Sequence, residues 1–258
     1  MHSTAYRMQP IKIWTTAPGP NGWKPIIYLE ELNVPYEIVD VPFTDLISDE
    51  FRKVNPGGKV PVMEDPNTGI KIWESGAIIL YIIEQFDKDN KLSFPTSQLK
   101  EFHLARQWLM FQVSQQGPFY GQLGWFNWMH PEKLPSASER YKNQTLRIMK
   151  LLDNALAESS GEGEKWLVGN KCSYADLAFV MYHVVVDIQA DVGEGEDSLL
   201  KQFTHLYAWN QRLLKRPSVA KVCQMRLDAI AAEGFKIDKE VVREHAEELM
   251  AKEKERGV

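Results

Sequence analysis

The residue types that could do chemistry in this chain gather in short segments. NPGGKVPV (55–62) carries Lys59, Val60 and Pro61, and WESGAI (73–78) carries Glu74 and Ser75. A cis X-Pro bond costs only about 0.5–1 kcal/mol. Beside a sheet, the residue before such a proline presents its backbone N–H and C=O to an extended peptide, which then binds as an added strand. The plainer reading is that Pro61 ends a loop. Glu74 and Ser75 stand where a strand gives way to an apolar helix. Ser75 can N-cap that helix. Equally, the helix start can offer free N–H groups to a carboxylate while Glu74 accepts from an ammonium. SYAD (173–176) is a capping box opening the apolar run LAFVMYHVVV and reads as structural. Cys172 and Cys223 are the only cysteines, with no C-x-x-C and no Cys/His spacing suited to zinc, so no metal site is expected. Neither His103 nor His130, nor any other of the six histidines, has a partner readable from spacing that would make it a general base.

These segments need a scaffold, and composition allows a folded one. The 258 residues are 44% hydrophobic and 25% charged, with a net charge of −5. An acidic balance without a dense Lys/Arg run speaks against a nucleic-acid surface. No apolar run reaches the roughly 18 residues of a membrane span. The opening MHSTAYRMQP lacks the apolar stretch of a secretory signal. A reduced, cytoplasmic setting without membrane contact is expected.

IKIWTT (11–16) alternates as a half-buried strand; the turn APGPNG leads into a helix over WKPIIYLEEL with Pro25 in its first turn, and YEIVDV (36–41) is a second strand. A short strand at Val60–Glu64 and another at Ile70–Trp73 must be antiparallel, since so short a turn joins them. GAIILYIIEQF then reads as a buried helix. The order βαβ–ββα is that of a thioredoxin-like domain with a mixed four-stranded sheet, assigned to residues 9–90. Past a polar linker only helical periodicity appears, near 99–125, 136–159, 174–190, 199–215 and 218–232. This predicts an all-helical bundle over 98–235, a charged tail over 236–258, and an α+β chain overall.

PNGWK, NPGGKVP, WESGAIILYIIEQ, FQVSQQGP, HPEKLPSASERY and LVGNKCSYADLAFV together resemble the glutathione transferase superfamily. They are most similar to the branch that holds the bacterial nu-class enzymes and the fungal nitrogen-regulator-like transferases. The resemblance implies a homodimer with one glutathione site per subunit, at Lys59, Val60, Pro61, Glu74 and Ser75. It implies that Asn21 stands near the glutathione sulfur, where its amide can donate to a thiolate beside a helix start; as a plain structural residue Asn21 would be an N-cap. It also matches Arg147 to a residue that approaches the glutathione of the partner subunit. Two positions depart from the branch. Gly19 stands where a threonine is usual, and Leu46 where a His or Gln reaches the glycyl carboxylate, so Lys59 or Lys53 would have to make that contact.

The second substrate implied is a small hydrophobic electrophile lying over the sulfur, against Ser114, Tyr120, Trp125, Phe126 and Trp128, unless these aromatics are helix-packing core. The activity implied is conjugation of the glutathione thiolate to that electrophile. Glutathione-dependent disulfide reduction or peroxidase chemistry is the alternative, with a non-catalytic binding or regulatory member of the same fold as the third reading.

Overall fold

The alternation of IKIWT (Ile11–Thr15, β1) serves two layers, and the computed structural model, which describes residues 8–159, 163–192, 197–234 and 239–255, is organised around that strand. β1 pairs in parallel with β2 (Tyr36–Asp40) and antiparallel with β3 (Val62–Asp65), which pairs antiparallel with β4 (Ile70–Trp73). The order is β2-β1-β3-β4. Ile11, Ile13 and Met63 share the main core with the helices α1 (Pro20–Glu31) and α3 (Ser75–Phe86); Trp14 and Val62 turn to a smaller core around Leu46 and Phe51, the latter on α2 (Asp49–Val54). This is the thioredoxin-like arrangement, and β3 begins later than expected because Pro61 has no N–H for the ladder.

α1 begins three residues before the expected start, with Pro20 at its first position, where a missing N–H costs nothing. Pro25 therefore lies inside the helix rather than in its first turn, and its ring leaves the Asn21 carbonyl without the usual N–H. Gly22 makes the docking of α1 on β1 possible: a Cβ there would lie 1.9 Å from the Thr15 hydroxyl oxygen.

The remainder is helical. α4 (Leu99–Phe111) runs into a π-helical stretch, Gln112–Gln116, then α5 (Gly117–Gly124) and a second π-helical stretch, Trp125–Met129. The expected single helix over 99–125 is thus a rod with two wide turns. α6 (Pro135–Glu158) follows, then α7 (Tyr174–Leu177) and α8 (Val180–Gln189), two pieces where one helix over 174–190 was expected. A 3₁₀ turn, Leu199–Gln202, precedes α9 (Thr204–Leu214) and α10 (Pro217–Ala232). The capping box is structural, as read: Asp176 accepts from Ser173 N, Leu167 N and Trp209 Nε1, each at 2.9 Å. The segment read as a charged tail is, over its described residues, a helix, α11 (Lys239–Glu255). Its Val242 and Ala246 are buried where α11 packs against the Trp125–Met129 turn.

α1 joins the two domains. At its C-terminal end Glu31 accepts from Arg216 at 2.7 and 2.9 Å and from Ser218. Burial would raise this carboxyl, but the guanidinium and hydroxyl hold it at about 2. Such a pair is costly to break from one side only.

Candidate functional site

Two cavities meet at the start of α1. The first, roughly 340 Å³, is polar and is lined by Asn21, Lys24, Asn55, Lys59, Val60, Pro61, Glu74, Ser75, Val113, Gly117, Pro118, Gln122 and Tyr182. Asn55 shapes one wall. Its side chain donates to the Lys59 carbonyl at 2.6 Å and accepts from Gly57 N at 2.9 Å, holding the loop that carries Val60. The Val60–Pro61 bond is cis, and Val60 precedes the β3 ladder, so its backbone is not engaged in the sheet. Opposite, α3 starts with Ser75 itself, and Glu74 occupies the cap position with φ +75°. The expected Ser75 cap does not form; the serine lies within the first turn, where the amide donors are free. A non-glycine residue at such a φ is strained, and such strain gathers at ligand sites.

The floor is a chain of buried polar groups. Asn21 Nδ2 donates to the Tyr182 hydroxyl at 3.0 Å, and Lys24 Nζ donates to Gln112 Oε1 at 2.8 Å. Gln112 Nε2 donates to Gln116 Oε1 at 3.0 Å, and Gln116 to the Phe179 carbonyl at 3.3 Å. Asn21 is not an N-cap either: Gly19 holds that position, and Asn21 turns its amide across to α8. Burial, opposed only in part by the Glu74 carboxylate, brings the Lys24 ammonium down to about 7. Burial, opposed in part by the Asn21 bond, pushes the Tyr182 phenol up to about 12. It therefore stays protonated, and having accepted from Asn21 it retains its own O–H to donate.

The second cavity, roughly 180 Å³, is apolar. It is lined by Pro18, Gly19, Pro20, Phe43, Gly121, Gly124, Trp125, Trp128, Met129, Val185, Ile188, Gln189, Arg226, Ile230 and Val242. The wide turn at 125–129 presents Trp125, Trp128 and Met129 together, and Trp128 Nε1 fixes it to α8 through the Ile188 carbonyl at 2.7 Å. Three elements wall both cavities. At the start of α1, Gly19 and Pro20 belong to the apolar cavity and Asn21 to the polar one. Along α5, Gly117 and Gln122 face the polar cavity while Gly121 and Gly124 face the other. Along α8, Tyr182 is followed one turn later by Val185.

Of the residues expected at the site, Asn21, Lys59, Val60, Pro61, Glu74 and Ser75 line the polar cavity, and Trp125 and Trp128 the apolar one. Ser114 does not: it is exposed on the first π-helical stretch, whose extra residue per turn rotates it outward. Tyr120 is fully buried, packed 6.1 Å from Tyr182 and 6.2 Å from His183, so the core reading holds for it. Phe126 stacks on Tyr141 at 5.4 Å, away from both cavities. Arg147 is exposed on α6, bonded to Gln144 at 2.9 Å and Gln115 at 3.3 Å, and lines neither cavity of its own chain. Lys53 is paired with Glu50 at 2.9 Å, and Leu46 is a core residue. Lys24, Asn55, Tyr182 and Arg226 were missed; the signal for Lys24 was a lone charge in WKPII, three residues after Asn21. Neither cysteine lines either of these two cavities, and burial raises both thiols. Among the described residues no His, Cys, Asp or Glu cluster is placed to hold a metal ion.

Comparison with known proteins agrees with this geometry. Residues 15–90 match the family model of the glutathione S-transferase N-terminal domain, and residues 124–226 that of the C-terminal domain. The chain is 42% identical over 220 residues to glutathione S-transferase-like protein gedE of Aspergillus terreus, covering 84% of this chain and 95% of the relative. Its fold is similar to that of glutathione transferase URE2P6 from Phanerochaete chrysosporium in complex with oxidized glutathione. There the identity is 36% and the TM-score 0.77, over 86% of this chain and 98% of the other. Ure2p5 from the same fungus, cocrystallized with 1-(S-glutathionyl)-2,4-dinitrobenzene, is 32% identical with a TM-score of 0.75, over 88% of this chain and 98% of the other.

Proposed function

Because this chain belongs to the glutathione S-transferase family, we propose that it binds glutathione in the polar cavity and joins its thiolate to an electrophile held in the apolar one. The observation that carries this reading is the shared boundary. Consecutive residues, Pro20 and Asn21, wall the apolar and the polar cavity respectively, so a sulfur at Asn21 would face a ring lying against Pro20. The tripeptide backbone would add to Val60 as a strand, and its γ-glutamyl carboxylate would take the amides at the start of α3 while Glu74 accepts from the ammonium.

At the sulfur, the second N–H of Asn21 and the Tyr182 hydroxyl would be the nearest donors. Their effect on reactivity is bounded. Moving a thiol from ~8.5 to ~7 raises its thiolate fraction at pH 7 about sixteenfold, and a Brønsted slope of ~0.4–0.5 returns about fivefold. The net gain is about threefold, so most of the rate would come from holding sulfur and electrophile together. Lys24, at about 7, adds a partial positive charge to the same cavity.

Calorimetric titration with glutathione, followed by a thioether assay with 1-chloro-2,4-dinitrobenzene, tests the reading. Saturable binding and one conjugate per glutathione consumed are expected. Absence of glutathione binding would overturn it. A second reading, disulfide reduction through two glutathiones, is favoured by the likeness to a transferase in complex with oxidized glutathione. Both cysteine thiols here are raised by burial, so such chemistry would not run through the enzyme's own sulfur. Glutathione disulfide in place of thioether would select it. Binding without either product would select a non-catalytic role.

The chain is further proposed to act as a cytoplasmic homodimer in which Arg147 of one subunit approaches the glutathione of the other. Ile70 and Trp73, 39% and 46% exposed on the edge strand β4, supply apolar surface for the contact. Sedimentation should give a dimer for the parent and a monomer for Trp73→Glu.

A further inference from the structure

Among the described residues the apolar cavity contains one charge. Arg226, on α10, is the only ionisable one of them in its wall, beside Trp125, Trp128, Val185, Ile188 and Val242. Only 5% of this side chain is exposed. Its Nη2 donates to the Pro18 carbonyl at 2.8 Å, and its Nε is buried without a hydrogen-bond partner. Among the described residues no carboxylate pairs with it.

A guanidinium cannot lose its proton to escape burial, so a buried one with unfilled donors calls for an acceptor that brings negative charge. A clamp on one backbone carbonyl uses a single N–H of the five. A neutral residue of the same length would do that work without the desolvation of a charge. The cavity is thus shaped for a flat apolar ring and equipped at one point for an anionic oxygen. Arg226 grips Pro18, three residues before Asn21, so an anion there lies along the turn that leads to the sulfur position.

We infer that the second substrate of this protein is an aromatic acid, its carboxylate or phenolate oxygen held by Arg226. The inference rests on the conjugation reading for its site and adds the chemical class of the electrophile. Free glutathione, itself an anion, is not the occupant, because the Val60, Glu74 and Ser75 groups that would bind it lie in the other cavity.

The test compares 4-chloro-3-nitrobenzoate with its methyl ester, which keeps the ring and the leaving group and removes the charge. Affinities are read from quenching of tryptophan fluorescence, since Trp125 and Trp128 line the cavity, and turnover is measured on the same pair. The parent should bind the acid at least about tenfold more tightly than the ester. In Arg226→Gln the ratio of the two affinities should fall to within about twofold of one, and Arg226→Lys should keep part of the preference because it keeps the charge. An acid bound no better than its ester by the parent overturns the inference, and that measurement stands even if the variants fail to fold. A preference unchanged in Arg226→Gln also overturns it. Replacing the acid with 4-nitrophenol separates phenolate from carboxylate, and either preference supports the inference. Acid-selective binding with no thioether from either compound would sustain the anion site and defeat the conjugation reading. Thioether from the ester, with no preference for the acid, would do the reverse.

Discussion

The polar cavity takes most of its wall from short stretches of one domain: the first turns of α1 at 21–24, a loop at 55–61 and the start of α3 at 74–75. The apolar cavity takes its wall from a π-helical turn and from parts of α5, α8, α10 and α11 that no local pattern brings together. Groups in the first are held by hydrogen bonds at 2.6–3.3 Å. The second is held mainly by shape, with hydrogen bonds only from Trp128 to the Ile188 carbonyl at 2.7 Å and from Arg226 to the Pro18 carbonyl at 2.8 Å among the side chains described above. A hydrogen-bonded site accepts one ligand chemistry and resists change. A site made by helix docking alters its ligand whenever one side chain changes volume. The molecule thereby separates a constant half from an adjustable one, and three shared elements keep the two in register.

The sharpest way to break that separation is at the boundary. Asn21→Ala is expected to lower turnover about ten- to a hundredfold at saturating glutathione, since misplacing the sulfur by about 1 Å costs on that scale. It should destabilise the fold by only about 1 kcal/mol, the value of one hydrogen bond, because Asn21 caps nothing. Turnover within about threefold of the parent, the most that a change in thiol pKa alone would give, would remove Asn21 as the sulfur-orienting group. Tyr182→Phe, read in the same assay, would then report whether the partner hydroxyl carries the role.

The adjustable half can be changed alone. Gly121 faces the apolar cavity, and nothing lies within 4 Å of where its Cβ would stand. Gly121→Leu should therefore fold and fill the cavity, lowering kcat/KM for the electrophile about thirtyfold, the equivalent of ~2 kcal/mol of steric conflict. Its glutathione dissociation constant, measured by calorimetry, should stay within about twofold of the parent. Equal losses in both would show that the two cavities are not independent.

The constant half has its own variants. Glu74→Ala and Ser75→Ala should each weaken glutathione binding about tenfold or more, since a hydrogen bond to a charged group is worth about 1.5–3 kcal/mol. Calorimetry showing parent-like affinity in both would return them to a structural role. The smallest expected effect concerns the buried ammonium. Lys24 sits at about 7 in the fold against about 10.4 in an unfolded chain. Between those values the unfolded chain holds one proton more, so folding strengthens as pH rises. The parent should gain about 1 kcal/mol between pH 7 and 8 that Lys24→Met does not. Urea midpoints at the two pH values check it, and identical pH slopes would place the Lys24 charge outside the buried chain.

Legibility in the sequence followed the same division. The βαβ–ββα order, the α+β class and the helical second half were readable because period and turn chemistry act over a few residues. Asn21, Lys59, Val60, Pro61, Glu74 and Ser75 all line the polar cavity; Val60, Pro61, Glu74 and Ser75 were singled out by local backbone geometry, whereas Asn21 and Lys59 came from the family resemblance. The errors were local too. Neither Ser75 nor Asn21 is a cap, because both helices begin one or two residues earlier than capping logic places them. The π-helical turns were invisible to a fixed helical period, and they moved Ser114 outward while setting Trp125 and Trp128 side by side.

What the sequence alone determined was therefore the sheet domain and the residues along the polar cavity's loops. Only tertiary structure decided the rest of the site. Lys24 meets Gln112 across 88 residues, Asn21 meets Tyr182 across 161, and Arg226 meets Pro18 across 208. A charged side chain acquires its role from the dielectric and the partners around it, and at such separations those are set by how helices dock. Read along the chain, Arg226 is one cation in a polar helix and Val242 one valine in a charged segment. The docking of α10 on α1 and of α11 on the turn at 125–129 turns them into the wall of a cavity.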